Sequence, residues 1–231
     1  MIMEIIQQDE SKIVCKLDNV SRIDDEFLKK LEWPAGRKIY VLVLGETLEN
    51  EAGLAARVTD KAPVWLVYCA QKSELGVGAG GSAQIAGIRS SPLKNLEEVK
   101  RCFIETREGY YRANGYTFTP RQVEETKDFL ANYLPKSRHV HVENDGRTAG
   151  LMLLNAHVYL GRPTDIIPWF WVDTALSGDK RAAIIALMRN WLAENISEQV
   201  YDFCNLDRPE MHGLDRALGL SAVAIHVLKV A

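Results

Sequence analysis

The chain has 231 residues, of which 47% are hydrophobic and 26% charged, with 16 Gly and 8 Pro; that balance belongs to folded domains and excludes a disordered chain. A formal net charge of -3 leaves no general field to gather nucleic acid or an anionic membrane, so neither is expected as a partner. No apolar run approaches the roughly 20 residues that span a bilayer, and the opening MIMEIIQQDESK lacks the basic and apolar regions of a signal peptide, so a cytoplasmic location is expected.

In chain order the first part reads as strand, helix, strand, helix, strand: Lys12–Leu17, Asp24–Leu31, Lys38–Leu44, Glu49–Val58 and Pro63–Ala70. The second and third of these strands are nearly continuous apolar runs, the pattern of strands covered on both faces, which predicts a small α/β lobe over residues 1–75. Gly76-Val-Gly-Ala-Gly-Gly81 then matches a dinucleotide-binding fingerprint by letter. That fingerprint needs a strand before it and a helix opening at its last glycine, whereas a strand-like stretch, Ser82–Ser90, follows here. Residues 76–83 therefore read as a glycine-rich connector.

Beyond the connector, helices are predicted over Asn95–Tyr111 and Pro120–Tyr133. Asn95 caps the first; Thr119 and Pro120 open the second, with Glu124 and Glu125 favouring its positive end. Arg138–Glu143 alternates, Asn144-Asp-Gly146 supplies a tight turn, and Thr148–Leu154 is the return strand. A looser turn at Gly161, Arg162 and Pro163 leads into an aromatic strand, Ile166–Val172. Ile184, Ile185, Met188, Trp191 and Leu192 recur at helical spacing over Lys180–Asn195. A strand at Gln199–Cys204, a short polar helix at Pro209–Leu218 ending near Gly219, and a strand at Ala222–Val230 complete the chain.

Cys15, Cys69, Cys102 and Cys204 are widely spaced, with no CxxC pair and no histidine spacing that suits zinc, so no metal is expected from the linear pattern. All read as buried thiols, with Cys204 set apart because it lies outside the apolar runs that hold the others.

From the second strand-like stretch onward, the order strand, two helices, three antiparallel strands, helix, strand, helix, strand resembles the GNAT acyltransferase superfamily, over about residues 84 to 231. Ile88-Arg89 through Leu96 and Val99 looks like the family's first strand running into its first helix. Trp171-Val172-Asp173, then Ser177-Gly178-Asp179-Lys180-Arg181-Ala182 and an amphipathic helix, is similar to its fourth strand, pyrophosphate loop and third helix. Cys204-Asn205 through Arg208, His212, Asp215 and Gly219 resembles the run from its fifth strand to its closing glycine.

The resemblance implies a mixed, largely antiparallel sheet flanked by helices, behind a small α/β N-terminal lobe. It also implies transfer of an acetyl or related acyl group from acetyl-CoA or another acyl-CoA to an amine. Of the cofactor-binding residues it implies, Gly178, Asp179, Lys180, Arg181 and Ala182 would hold the cofactor's diphosphate, Trp171, Val172 and Asp173 would line it along the strand, with the N–H near Val172 polarising the thioester carbonyl, and Asn205 and Arg208 would lie near pantetheine. Open amides in the first helical turn are the physical reason such a loop binds diphosphate.

The family's usual acid is a tyrosine, and counting back from Gly219 puts Asp215 at that position, where an ionised carboxylate cannot donate a proton unless its pKa is raised. His141 and His212 are the other candidate acid–base groups, His141 sharing a strand face with His139 and Glu143 on what reads as a half-exposed sheet surface. Trp169 and Trp171 share a face of their strand, as core packing or as an acyl or acceptor wall. The partner implied is a small-molecule or protein amine, a homodimer is left open, and the alternative is a GNAT-like protein that binds a ligand or partner without catalysis.

Overall fold

In the computed structural model of the protein, the described residues are 3–8, 12–17, 38–44, 64–76, 85–93, 96–113, 115, 117–159, 161–205 and 208–230. The expected helices at Asp24–Leu31 and Glu49–Val58, the Asn95 cap and all of the connector but Gly76 lie outside them. The strands are β1 (Met3–Gln8), β2 (Lys12–Leu17), β3 (Lys38–Leu44), β4 (Val64–Gln71), β5 (Ile88–Ser91), β6 (Arg138–Asn144), β7 (Arg147–Tyr159), β8 (Arg162–Ile166), β9 (Phe170–Val172), β10 (Gln199–Asn205) and β11 (Ser221–Val230). The main helices are α1 (Leu96–Ala113), α2 (Pro120–Tyr133), α3 (Gly178–Asn195) and α4 (Pro209–Leu218).

The chain divides into two compact units. One contains residues 1–74, 157–164 and 197–231; the other contains residues 75–156 and 165–196. In the first, the strand order is β1-β2-β3-β11-β4-β10-β8. β2 and β3 run parallel; β1 with β2, β3 with β11, β11 with β4 and β4 with β10 are antiparallel. Leu66, Val67 and Tyr68 of β4 are all fully buried, which is why the sequence there is apolar without alternation.

The second unit is built on β5, β6, β7 and β9, all antiparallel. Asp145 (φ 52) and Gly146 (φ 80) form the β6–β7 turn, two successive positive φ values matching the right-handed twist of the strands they join. Alternation along β7 divides the core. Leu151 and Leu153 cluster with Val99 of α1 and Leu134, with Trp169 packed against them. On the opposite face Gly150 meets α3, so closely that a Cβ there would stand 2.7 Å from Ile184 Cγ2 and 3.4 Å from Met188 Sδ.

α2 begins with a reciprocal cap: Thr119 accepts from the Gln122 amide while the Gln122 side chain accepts from the Thr119 amide. Glu124 and Glu125 lie past the first turn and pair instead with Lys127 and Arg121, so the expected dipole role does not hold. Two strands also differ from expectation. Of the stretch expected at Ser82–Ser90, residues 82–84 lie outside the described residues and the described strand starts only at Ile88, because Gly87 turns with φ 88 and accepts from the Asp145 amide through its carbonyl. The aromatic strand is broken into β8 and β9, with Ile167, Pro168 and Trp169 between them; proline has no N–H to give a ladder.

Candidate functional site

β9 and the start of α3 form the first candidate. The Leu153 amide donates to the Trp169 carbonyl and the Asp173 amide to the Ala149 carbonyl, so residues 169, 171 and 173 turn their polar backbone towards β7. Backbone groups alternate along a strand, so the Val172 amide points to the other edge, and among the described residues β9 pairs with no strand but β7. Val172 itself is buried, with Trp171 half-buried beside it.

The five residues after β9 shape the helix entry. Asp173 Oδ1 accepts from the Ala175 amide at 2.9 Å, closing a small turn with its own side chain. Ser177 is the N-cap residue of α3 but makes no side-chain cap, and the first intrahelical bond runs from the Arg181 amide to the Ser177 carbonyl. The amides of Gly178, Asp179 and Lys180 thus precede the helical ladder and are not capped by the chain's own side chains. Gly178 is exposed, and a Cβ built on it meets nothing within 4 Å.

The cations nearby divide unequally. Lys180 Nζ donates to Asn144 Oδ1 at 2.8 Å and to Asp145 Oδ2 at 3.3 Å, so its charge ties α3 to the β6–β7 turn. The turn lies within reach of its four-carbon stem. Arg181, half-buried one residue on, has no carboxylate partner among the described residues, and its Nε is buried without a hydrogen bond. Ala182 is exposed, with its amide past the end of the open set.

The histidine pair on β6 lies elsewhere. His141 is 5% exposed, with Nδ1 2.9 Å from Ser91 Oγ and Nε2 3.0 Å from Thr148 Oγ1. It pairs across the ladder with Leu151, on the face that α1 covers, so the expected half-exposed surface is in fact core. Burial pushes its pKa down, partly offset by the charges of Glu143 and Glu98. With both ring nitrogens held by hydroxyl groups, it is a neutral structural histidine. Trp169 also belongs to this core, edge-on to Phe103 with ring centroids 4.4 Å apart.

The other candidates lie in the first unit. Arg208 Nε donates to Glu210 Oε1 at 3.1 Å at the start of α4, and Asn205 ends β10 opposite Trp65. His212 is 3% exposed and stacks on Tyr68 at 5.7 Å; Asp215 is 0% exposed, and its carboxyl meets the Asp202 carboxyl with no N–H donor on either oxygen. Burial, reinforced by the charge of Asp202, raises the Asp215 pKa far above the carboxylate range. The helix read as polar therefore turns two polar side chains inward. Cys69, Cys102 and Cys204 are buried thiols outside any disulfide, as expected, and the Cys15 side chain lies outside the described residues.

No model of a known protein family matches the chain, and no curated protein does. Solved structures similar to it include a conserved protein of unknown function from Staphylococcus epidermidis, 11% identical, at a TM-score of 0.48, with 98% of this chain and 94% of that chain covered. A tandem GNAT protein from the clavulanic acid biosynthesis pathway is 14% identical at 0.47, covering 95% of this chain and 75% of that one. A GCN5-related N-acetyltransferase from Sphaerobacter thermophilus is 10% identical at 0.45, covering 98% and 74%.

From β5 to β11 the element order runs strand, two helices, antiparallel strands, helix, strand, helix, strand, as the sequence resemblance implies.

Proposed function

We propose that the protein is an acyltransferase that takes an acetyl or related acyl group from its CoA thioester and delivers it to an amine. The observation that carries this reading is the uncapped first turn of α3, where the amides of Gly178, Asp179 and Lys180 are open beside an exposed glycine. A helix start of this kind favours a diphosphate through free N–H groups and the aligned peptide dipoles. Arg181 would add positive charge; Asp179, exposed in the same turn, opposes it.

The open-edge amide of Val172 supplies the second requirement, a donor for a thioester carbonyl as negative charge develops on its oxygen. Backbone polarisation needs no particular side chain, which fits a strand end made of Phe170, Trp171 and Val172. Asp215 has the raised pKa that a proton donor needs, but it is sealed from solvent, so the thiolate's proton is assigned to no side chain here. Asn205 and Arg208 keep the pantetheine role that the resemblance gives them. The non-catalytic alternative, a ligand-binding or interaction protein, has the same α3 entry and differs only in turnover.

Calorimetry with acetyl-CoA and CoA is the direct test. Binding is expected, and none at millimolar ligand rejects the reading. Gly178→Pro sharpens it: proline is tolerated at the first helical position and removes one open amide while keeping the helix. Loss of one hydrogen bond to a charged group should weaken CoA by about 1.5–3 kcal/mol. Release of free thiol on incubation with a panel of amines separates the enzyme from the non-catalytic alternative.

A further inference from the structure

Cys204, His212 and Asp215 come from two elements whose local geometry aims them at one place. Along β10, residues two apart share a face, so Asp202 and Cys204 lie together. Along α4, residues three apart share a face, so His212 and Asp215 do as well. α4 packs against β10. One ligand atom from each of Cys204, His212 and Asp215 then falls within 4.8 Å of the others, and all three residues are buried.

Asp215 is the observation that asks for a ligand. It is 0% exposed, and no N–H group donates to either carboxylate oxygen; its hydrogen-bond neighbour is a second carboxyl, Asp202, with which it can only share a proton, whereas buried carboxylates in native proteins are almost always bonded to donors, paired with a cation or bound to metal. The neighbouring carboxylate, Asp202, is already engaged, its Oδ1 accepting from the Phe203 amide at 2.8 Å, and as a second acid it adds to the local deficit of positive charge. The stack on Tyr68 fixes the plane of the His212 ring.

We propose that Cys204, His212 and Asp215 bind a borderline-soft divalent transition ion, with zinc the ion to test. A thiolate, an imidazole and a carboxylate are three of zinc's ordinary ligands, and tetrahedral zinc at its usual bond lengths needs neighbouring donors roughly 3.3–3.8 Å apart. Small side-chain rotations from within 4.8 Å reach that spacing. The thiolate disfavours magnesium and calcium, which take oxygen ligands. On binding, the thiol and the Asp215 carboxyl each give up a proton, and their two negative charges match the ion's two positive ones. Asp202 stands next to the ligand set as an outer partner that favours a cation. Three protein ligands leave the fourth tetrahedral position to a water; with Cys204 only 5% exposed, the ion clamps α4 to β10 and does not depend on whether the chain binds acyl-CoA.

The test uses the full chain. Protein produced in zinc-supplemented medium is expected to carry one zinc per chain by elemental analysis. After chelation, cobalt should restore a thiolate-to-metal charge-transfer band and the visible bands of tetrahedral cobalt. Cys204→Ser should lower zinc affinity by about 100-fold or more, since even outer partners of a metal site cost 10–100-fold. It should also abolish the thiolate band, while Cys69→Ser and Cys102→Ser keep both. Should Cys204→Ser fail to fold, His212→Gln carries the same affinity expectation. No zinc retained at micromolar free metal, cobalt without a thiolate band in the unaltered protein, or a band that survives Cys204→Ser in folded protein overturns the proposal.

Discussion

Gly150 sits where α3 comes down onto β7, and its missing side chain sets how close the helix can come. An added methyl would meet Ile184 Cγ2 at 2.7 Å, closer than real carbon contacts, and Ile184 is itself fully buried and has little room to give. Gly150→Ala is therefore expected to destabilise the fold by about 1–3 kcal/mol, as overpacked cores do, measured by urea unfolding. An unchanged midpoint would mean that α3 can move outward without loss. His141 makes a different kind of residue-scale prediction. Its folded pKa lies below the ordinary 6.5, because burial disfavours the charged ring. The unfolded chain then takes up the proton first, so stability is flat above pH 6.5 and falls as the pH drops below it through the lowered folded value. The slope from this one group is at most about 1.4 kcal/mol per pH unit. His141→Gln should flatten that part of the stability profile, and a profile of unchanged slope would show that another group titrates there. Neither role is visible from residue type alone: a glycine in a strand and a histidine among valines are both common, and what decides them is the helix lying above.

At the scale of elements, α3 does two jobs at its first turn. Its amides stay open, while its first lysine is spent on the β6–β7 turn through Asn144 and Asp145. Lys180→Met should thus cost less than about 1 kcal/mol of stability, as partly exposed ion pairs do, and leave CoA affinity nearly unchanged. Arg181→Glu, in contrast, should weaken CoA strongly, because it reverses a charge with no carboxylate partner among the described residues. If Lys180→Met proves the more damaging of the two in a calorimetric titration, the diphosphate is held differently. The elements themselves were largely readable. Pro120–Tyr133 begins at a Thr-Pro pair and ends where its period fails; Asn144-Asp-Gly146 could hardly be anything but a turn; β2 and β3 have the expected bounds. The aromatic strand was harder. Its composition is strand-like throughout, but Pro168 interrupts it, leaving β8 and β9 as separate strands that each pair with β7.

Across the whole molecule, ligand binding should register as stability. Acetyl-CoA at 100-fold over its Kd would add about 2.7 kcal/mol to the native state by mass action, provided the unfolded chain does not bind it. A rise in thermal midpoint that grows with the logarithm of acetyl-CoA concentration is the expected outcome, and a midpoint indifferent to ligand counts against the proposed function. No described helix is long and apolar enough to cross a membrane. The strand order of the first unit also shows how far apart in sequence neighbours can be. β11, at the end of the chain, lies between β3 and β4, and β4 lies between β11 and β10.

Periodicity and turn chemistry are properties of a few consecutive residues, so the sequence by itself determined the type and order of most elements, including the run from β5 to β11. Burial and partnership are set by residues brought together from afar, and these only the tertiary structure decided: that Lys180 reaches the β6–β7 turn, that α1 covers His141, and that Cys204 of β10 meets His212 and Asp215 of α4. The cysteine's linear spacing to those two residues matches no familiar metal motif, because a strand and a helix turn their side chains at different intervals, and convergence depends on how one packs against the other.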